Sequence, residues 1–406
     1  MKLDFSSQFH AIRRCGECLV HDFERLGFQE QAFCELAQSA IEDHRLAEMV
    51  SSELIWAQFF SSQTMWPKQF QPNGRFGQPP VTLFAHERFV IDAYFWHTAT
   101  TSIHDHGFSG AFAVVEGSSL HARYSFKQTQ TYSDFVSEGT LSQDDFELLK
   151  VGDIRPIQSG NGFIHSVFHL ENPSLSLCVR TTGESAELLP QREYHPSGLA
   201  RVSHVNNQRL ALLPRLLALG LEYEPRMVLD QLRESATAYT PLEIWRFTDT
   251  LASFFGNDLA FADSFLDALP SQLASYSNRL KNHYQYLSRE NRLTALRHTV
   301  EDPEQRLVLG LLVNAISEKQ LRHGIRLAFA APDDPQGINR FVSLVNDIGT
   351  RDGRPNPEAI VSGFGLSAED SEALGKCLSS GNFQKVDAPL SLQENLSFRT
   401  FFEEDT

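Results

Sequence analysis

Two histidines stand two residues apart in Thr100-Thr-Ser-Ile-His104-Asp-His106-Gly-Phe-Ser-Gly-Ala-Phe-Ala-Val-Val-Glu-Gly117. On an extended strand, residues i and i+2 point to the same face. His104 and His106 are therefore expected side by side, where two imidazoles can hold one metal ion. A third imidazole closes such a site. The best candidate is His165, in Gly160-Asn-Gly-Phe-Ile-His165-Ser-Val-Phe-His169. Three neutral nitrogens leave the ion its full positive charge and open positions for an anionic ligand and O2 together. Fe(II) is the natural redox metal for such a set, although Zn or Ni fits the nitrogens as well. The apolar flanks Ile103, Phe112, Val114, Phe163 and Val167 predict a dry cavity.

The elements that must position these rings follow from hydrophobic period. From Phe9 to Phe60 apolar residues recur every three or four positions (Phe23, Leu26, Phe33, Leu36, Ala40, Ile41), the period of amphipathic helices. The Pro- and Gly-rich stretch Trp66–Pro80 ends that pattern and predicts a boundary or an active-site flap. From Val81 the period becomes two. Phe89, Ile91, Ala93 and Phe95 alternate with their neighbours, as do Leu120, Ala122, Tyr124 and Phe126. Phe163, His165, Val167 and His169 do the same, and so do Leu175, Leu177 and Val179. Short alternating strands bounded by turn residues predict a sandwich or barrel. His165 and His169 then share a face, as do Ser176, Cys178 and Arg180. Asp144-Asp145 reads as a turn. After Ser203 the helical period returns, with starts at Thr240-Pro-Leu-Glu243, Asp302-Pro303 and Ser367 with Asp370. The tail after Phe383 is expected to fray. The expected fold class is α+β and multidomain: an N-terminal helical segment with its loop (1–78), a central metal-binding β-barrel (79–200), and an all-helical domain (201–406).

His104-x-His106 with Gly117 behind it, then Gly152, Gly162 and His165, resembles the two-part metal signature of the cupin (double-stranded β-helix) superfamily. Ser102-Ile-His104-Asp-His106 and Pro173-Ser-Leu-Ser176-Leu are similar to segments of the cysteine dioxygenase, or thiol dioxygenase, group. The resemblance spans Val81 to Thr182. It implies a cupin barrel, a mononuclear iron held by His104, His106 and His165, and dioxygenation of a small thiol or other anionic metabolite. The sequence also departs from the pattern. The carboxylate that many cupins carry shortly after the second histidine is missing, Gly110 and Ala111 standing there. Ala111 also replaces the cysteine that forms a thioether crosslink in cysteine dioxygenase. The Ser-His-Tyr triad of that enzyme becomes Ser176, Cys178 and Arg180. An Asn usual four residues after the third ligand is His169, a fourth ligand, a hydrogen-bonding partner of a ligand, or a packed polar residue, the second being favoured. Arg180 is expected to anchor an anion by charge-assisted hydrogen bonds, with Arg123 and Arg75 as rivals. The expected catalytic set is thus Arg180, His169 and Ser176.

Composition narrows the partners. A net charge of −16 argues against nucleic acid or an anionic membrane. No apolar run reaches the roughly 18 residues of a membrane span, and the N-terminus lacks the pattern of a signal peptide. Five cysteines in 406 residues imply reducing conditions rather than a disulfide framework. A cytoplasmic location is the expectation. Cys15-Gly-Glu-Cys18 sits at the head of a helical pattern and reads as helix-face packing. Asp43-His44, Tyr194-His195-Pro196, His298 and His323 read as isolated. Two other readings compete with an oxygenase. One is a metal cupin without redox chemistry (lyase, isomerase or ligand sensor), its helical domain serving partner binding, self-association or output. The other is a metal-free scaffold.

Overall fold

The computed structural model describes residues 5–61, 65–72, 76–97, 100–182, 190–255, 260–329, 334–351, 354–395 and 397–402. Arg75 lies outside the described residues. The chain begins with helices α1 (Phe5–Arg25), α2 (Phe33–Asp43), α3 (Leu46–Met49) and α4 (Ser52–Phe59). Eleven strands follow: β1 (Pro80–Ala85), β2 (Phe89–Trp96), β3 (His104–His106), β4 (Gly110–Glu116), β5 (Ser119–Ser133), β6 (Val136–Leu149), β7 (Ile154–Ile157), β8 (Gly160–His169), β9 (Ser174–Thr181), β10 (Arg192–Tyr194) and β11 (Leu199–Val202). Helices then resume as α5 (Gln208–Tyr223), α6 (Pro225–Glu234), α7 (Pro241–Phe255), α8 (Ala260–Asp267), α9 (Ala274–Leu296), α10 (Pro303–Asn314), α11 (Glu318–Phe329), α12 (Asp334–Ile348), α13 (Pro357–Val361), α14 (Ala368–Ser380) and α15 (Leu390–Gln393). The fold class is α+β. One sheet has the order β1-β2-β9-β4-β7, and a second, β10-β11-β6-β5-β8-β3, closes as a barrel.

By contacts the chain divides into two compact units. One comprises Met1–Tyr124, Gln143–Pro190 and Leu293–Thr406; the other comprises Ser125–Ser142 and Gln191–Arg292. The borders at 78 and 200 mark changes of periodicity along the chain. The units follow spatial contacts instead, so one border falls inside β5 and another inside α9.

In the first unit, α1, α2 and α4 cover one face of the five-stranded sheet. Ile12, Phe23, Phe33, Ile41 and Leu54 share a core with Phe89, Ile91, Ala111, Ala113, Leu177 and Val179. The alternating set of β2 and β9 is thus the helix-facing set. Ser51 caps α4, its hydroxyl accepting from the Leu54 amide at 3.1 Å. Cys15 is buried and its thiol lies 3.7 Å from the Ala40 carbonyl, whereas Cys18 faces solvent. All five cysteines are free thiols.

The last helices of the same unit are fastened to β8. The Asn314 side-chain oxygen, at the end of α10, accepts from Ser166 at 2.6 Å, and the Tyr124 hydroxyl donates to the Asn314 carbonyl at 3.0 Å. Gly310 permits this approach: a Cβ there would lie 2.9 Å from the Phe168 ring. Arg297, fully buried, donates to the carbonyls of His169 (2.9 Å) and His97 (3.2 Å). Asp302 caps α10 through the amides of Glu304 and Gln305, as its sequence predicts.

Two expectations fail. Asp144 and Asp145 lie inside β6, because the β5–β6 ribbon turns farther back, between Ser133 and Val136. Among the described residues after Phe383 the tail is packed rather than frayed: Phe383, Leu392, Phe398 and Phe401 are buried, and removing such apolar side chains from water favours the docked state.

The second unit has its own core, in which Val136 and Leu199 pack with Leu217, Leu221, Trp245, Phe247, Phe265 and Tyr276. Thr240 and Glu243 form a reciprocal cap at the start of α7. The Thr240 amide donates to the Glu243 carboxylate at 2.9 Å, and the Glu243 amide donates to the Thr240 hydroxyl at 3.3 Å. Arg201 bridges Glu193 (3.0 Å) and Asp249 (2.6 Å). No described helix is long and apolar enough to cross a membrane.

Candidate metal centre

Strand pairing brings the three histidines together. β3 lies antiparallel to β8 with His104 directly opposite His165. His106, two residues on, keeps the same face, and a register shift between the two histidines places its backbone opposite Gly160. The ring centroids form a near-equilateral triangle, at 4.7 Å (104–106), 4.8 Å (104–165) and 4.9 Å (106–165). One nitrogen from each ring lies within 4.8 Å of the others, and all three residues are buried. Among the described residues no other group of His, Cys, Asp or Glu converges in this way.

Two of the three rings, His104 and His165, are held by hydrogen bonds from behind. The His104 Nδ1 lies 2.7 Å from the Ser102 carbonyl, which can only accept. The His165 Nδ1 lies 2.8 Å from the Nε2 of His121, and the His121 Nδ1 lies 2.6 Å from the Glu147 carboxylate. Arg155 grips that carboxylate, its Nε 2.9 Å from both oxygens. Although burial disfavours the charged form, hydrogen bonds from His121 and Arg155 pull the Glu147 carboxyl down to about 2. Aromatic rings wall the cluster: Phe76 against His104 (5.3 Å), Phe108 against His106 (4.6 Å), and Phe163 against His165 (4.6 Å).

The donors fit a metal ion. The Nε2 atoms of His106 and His165 face each other at 2.9 Å, so two ring nitrogens aim at nearly one point. Burial, then the neighbouring imidazoles, holds both rings well below the ordinary histidine range. They are therefore neutral and present lone pairs, the form a metal takes. The His106 Nδ1 is buried without a hydrogen-bond partner.

The other expected residues fall in two places. Arg180, on β9, and His106 both lie against the Phe108 ring. Its Nη2 donates to Asp92 at 3.1 Å and its Nε to the Tyr94 hydroxyl at 3.0 Å. Its guanidinium sits over the rings of Phe70 (5.1 Å) and Phe108 (5.3 Å). Its positive charge is one of the causes that lower His106. Ser176 and His169 are joined instead through Trp96. The indole N–H donates to the Ser176 hydroxyl at 2.8 Å, and the indole stacks on His169 with centroids 4.6 Å apart. The His169 Nδ1 pairs with the Ser119 hydroxyl at 2.9 Å. Burial, with the charge of Arg297, pushes the His169 ring down to about 3, so it stays neutral. Cys178 is buried and its thiol is pushed up to about 12, so it remains protonated. Arg123 is exposed and lies over the Phe163 ring at 5.7 Å.

At Gly110, one of the two positions where many cupins carry a carboxylate, a side chain has no space. A Cβ there would lie 2.1 Å from the Val179 carbonyl oxygen, so β4 has no room for any side chain at that position. Sequence reasoning passed over His121, Glu147 and Arg155. They lie on three different strands: the pairing of β5 with β8, Arg123 opposite His165, sets His121 diagonal to His165, and side-chain contacts then bring in Glu147 and Arg155.

Fold and site together define a buried three-histidine centre in β-structure that could hold a metal ion. The chain matches no family model and no curated protein.

Proposed function

We propose that the protein is a mononuclear non-haem iron oxygenase of the cupin type, resembling thiol dioxygenases and acting on a small thiol or another anionic metabolite. The observation that carries this reading is the buried triangle of imidazoles with no carboxylate among the donors. Such a set leaves a divalent ion uncompensated, and a negatively charged guest is then favoured beside it. A bound ferrous ion would supply redox chemistry with O2 and would acidify a coordinating thiol.

The chain's own part is to bind, orient and exclude water. His104, His106 and His165 would hold the ion. Phe76, Phe108 and Phe163 surround their rings with apolar surface. Arg180 would attract an anion toward His106, with Asp92 and Tyr94 fixing the plane of its guanidinium. A planar donor fork held in this way loses little entropy when it takes a carboxylate. His169 and Ser176, tied through Trp96, orient that ring rather than offering a free nucleophile.

The test is metal analysis of the purified protein, followed by O2-electrode measurements on a panel of thiols under ferrous loading. Iron near one per chain and thiol-dependent O2 uptake, both lost in His104→Ala and His165→Ala, are expected. Zinc or nickel with no O2 uptake would move the site to non-redox chemistry. Protein that takes up no metal would end the proposal.

A further inference from the structure

The strand ribbon behind the centre carries a hydrogen-bonded chain that runs from the surface to a single ring of the triangle. It begins at Arg155 and Glu147, whose side chains are 31% and 28% exposed. It continues through His121, which has no exposure at all, and ends on His165. The contacts are 2.6 Å (Glu147 to His121 Nδ1) and 2.8 Å (His121 Nε2 to His165 Nδ1).

The direction of each bond follows from what each group can do. The Glu147 carboxylate, with Arg155 across both of its oxygens, only accepts. The hydrogen in the first contact therefore sits on His121 Nδ1. A neutral His121 then has a lone pair on Nε2, so the hydrogen in the second contact must come from His165 Nδ1. His165 is left with its lone pair on Nε2, the nitrogen that faces His106 at 2.9 Å. We propose that Glu147 and His121 are positioning residues that lock His165 in the Nδ1–H tautomer and aim its Nε2 into the metal site. The purpose of the lock rests on the metal reading above; the lock itself is a property of the metal-free protein.

A two-imidazole chain differs from a carboxylate set directly on the ligand. It carries the orienting effect of a surface carboxylate inward without placing a negative charge beside the ion. The cation's attraction for an anionic guest is then preserved. This agrees with the absence of acidic side chains from the triangle.

The experiment is nitrogen-15 NMR of histidine-labelled, metal-free protein, with the His165 resonances identified by their loss in His165→Ala. A hydrogen on Nδ1 of His165 is expected in the wild type, and mixed tautomers in His121→Phe. Zinc affinity, read by chelator competition, is expected to fall about 10- to 100-fold in His121→Phe and in Glu147→Leu. The double variant should be no weaker than the worse single one, because both act along one chain. An Nε2–H tautomer in the wild type overturns the proposal, and so do single losses that simply add in the double variant. The wild-type spectrum decides the tautomer even if a variant fails to fold. A wild type that shows the Nδ1–H tautomer yet binds no zinc keeps the lock and removes the metal reading.

Discussion

His169→Phe should change the sign of its effect on stability with pH. In the folded protein the His169 ring is buried against Trp96 and its pKa is pushed from 6.5 to about 3. In the unfolded chain it titrates at its ordinary value. Between those two values the unfolded state binds the extra proton, so this residue makes stability rise with pH and fall as pH drops below about 6.5. With 1.36 kcal/mol per pH unit, the penalty is roughly 2 kcal/mol at pH 5 and only ~0.2 kcal/mol at pH 7. Phenylalanine keeps the stack on Trp96 but cannot pair with the Ser119 hydroxyl, 2.9 Å away and buried. That loss costs about 1 kcal/mol at every pH. The variant should therefore be less stable than the wild type at pH 7.5 and more stable at pH 5, the curves crossing near about pH 6. The assay is urea unfolding from pH 5 to 7.5, followed by tryptophan fluorescence and compared as variant minus wild type so that other titrating groups cancel. Two parallel curves, with one constant difference across the range, would refute the reasoning, since they would show that the ring titrates alike in the folded and unfolded states.

Three further outcomes are expected. Gly110→Ala places a methyl group 2.1 Å from the Val179 carbonyl and 2.9 Å from the Arg180 Cα, both backbone atoms that cannot step aside. It should cost upwards of about 3 kcal/mol, seen as a large drop in the urea midpoint or as insoluble protein; unchanged solubility and midpoint would contradict this pairing of β4 with β9. Asn314→Ala leaves the buried Ser166 hydroxyl only its 3.4 Å contact with the Tyr124 hydroxyl and should cost about 1–3 kcal/mol in chemical unfolding, while a loss within experimental error would mean that α10 does not rest on β8. Adding a divalent metal at one hundred times its dissociation constant should stabilise the protein by about 2.7 kcal/mol, and a chelator should reverse the gain in melting temperature. The same additions should leave His106→Ala almost unmoved, and an equal shift in that variant would place the ion elsewhere.

Local rules read well wherever chain neighbours decide the outcome. The i, i+2 spacing puts His104 and His106 on one face because a strand alternates, whatever lies around it. The caps at Ser367, Asp302 and Thr240 form because the side chain that satisfies the free amides is only two or three residues away. The switch from period 3.6 to period 2 near residue 80 marks where helices give way to strands. His165 was within reach because a Gly-bounded alternating run carries it. Its distance from the other two histidines was not, since that depends on the register of β8 against β3.

Everything that links distant segments was decided by tertiary structure. Register set the Glu147–His121–His165 chain, for period two fixes a residue's face but not its partner across the strand gap. The Trp96 indole links His169, by stacking, to Ser176, by a hydrogen bond, which no spacing in the sequence announces. Asp144 and Asp145 look like a turn by type, yet the β5–β6 ribbon extends past them because its pairing continues. Helices from Leu293 onward joined the unit that holds β8 because Arg297 and Asn314 meet carbonyls and hydroxyls of β8 and the segments beside it. The sequence by itself determined which residue types could do chemistry and which faces they occupy, since alternation and capping are properties of a few consecutive residues. Only the folded structure decided which of those faces meet, because pairing register and side-chain contacts are set by the whole core at once.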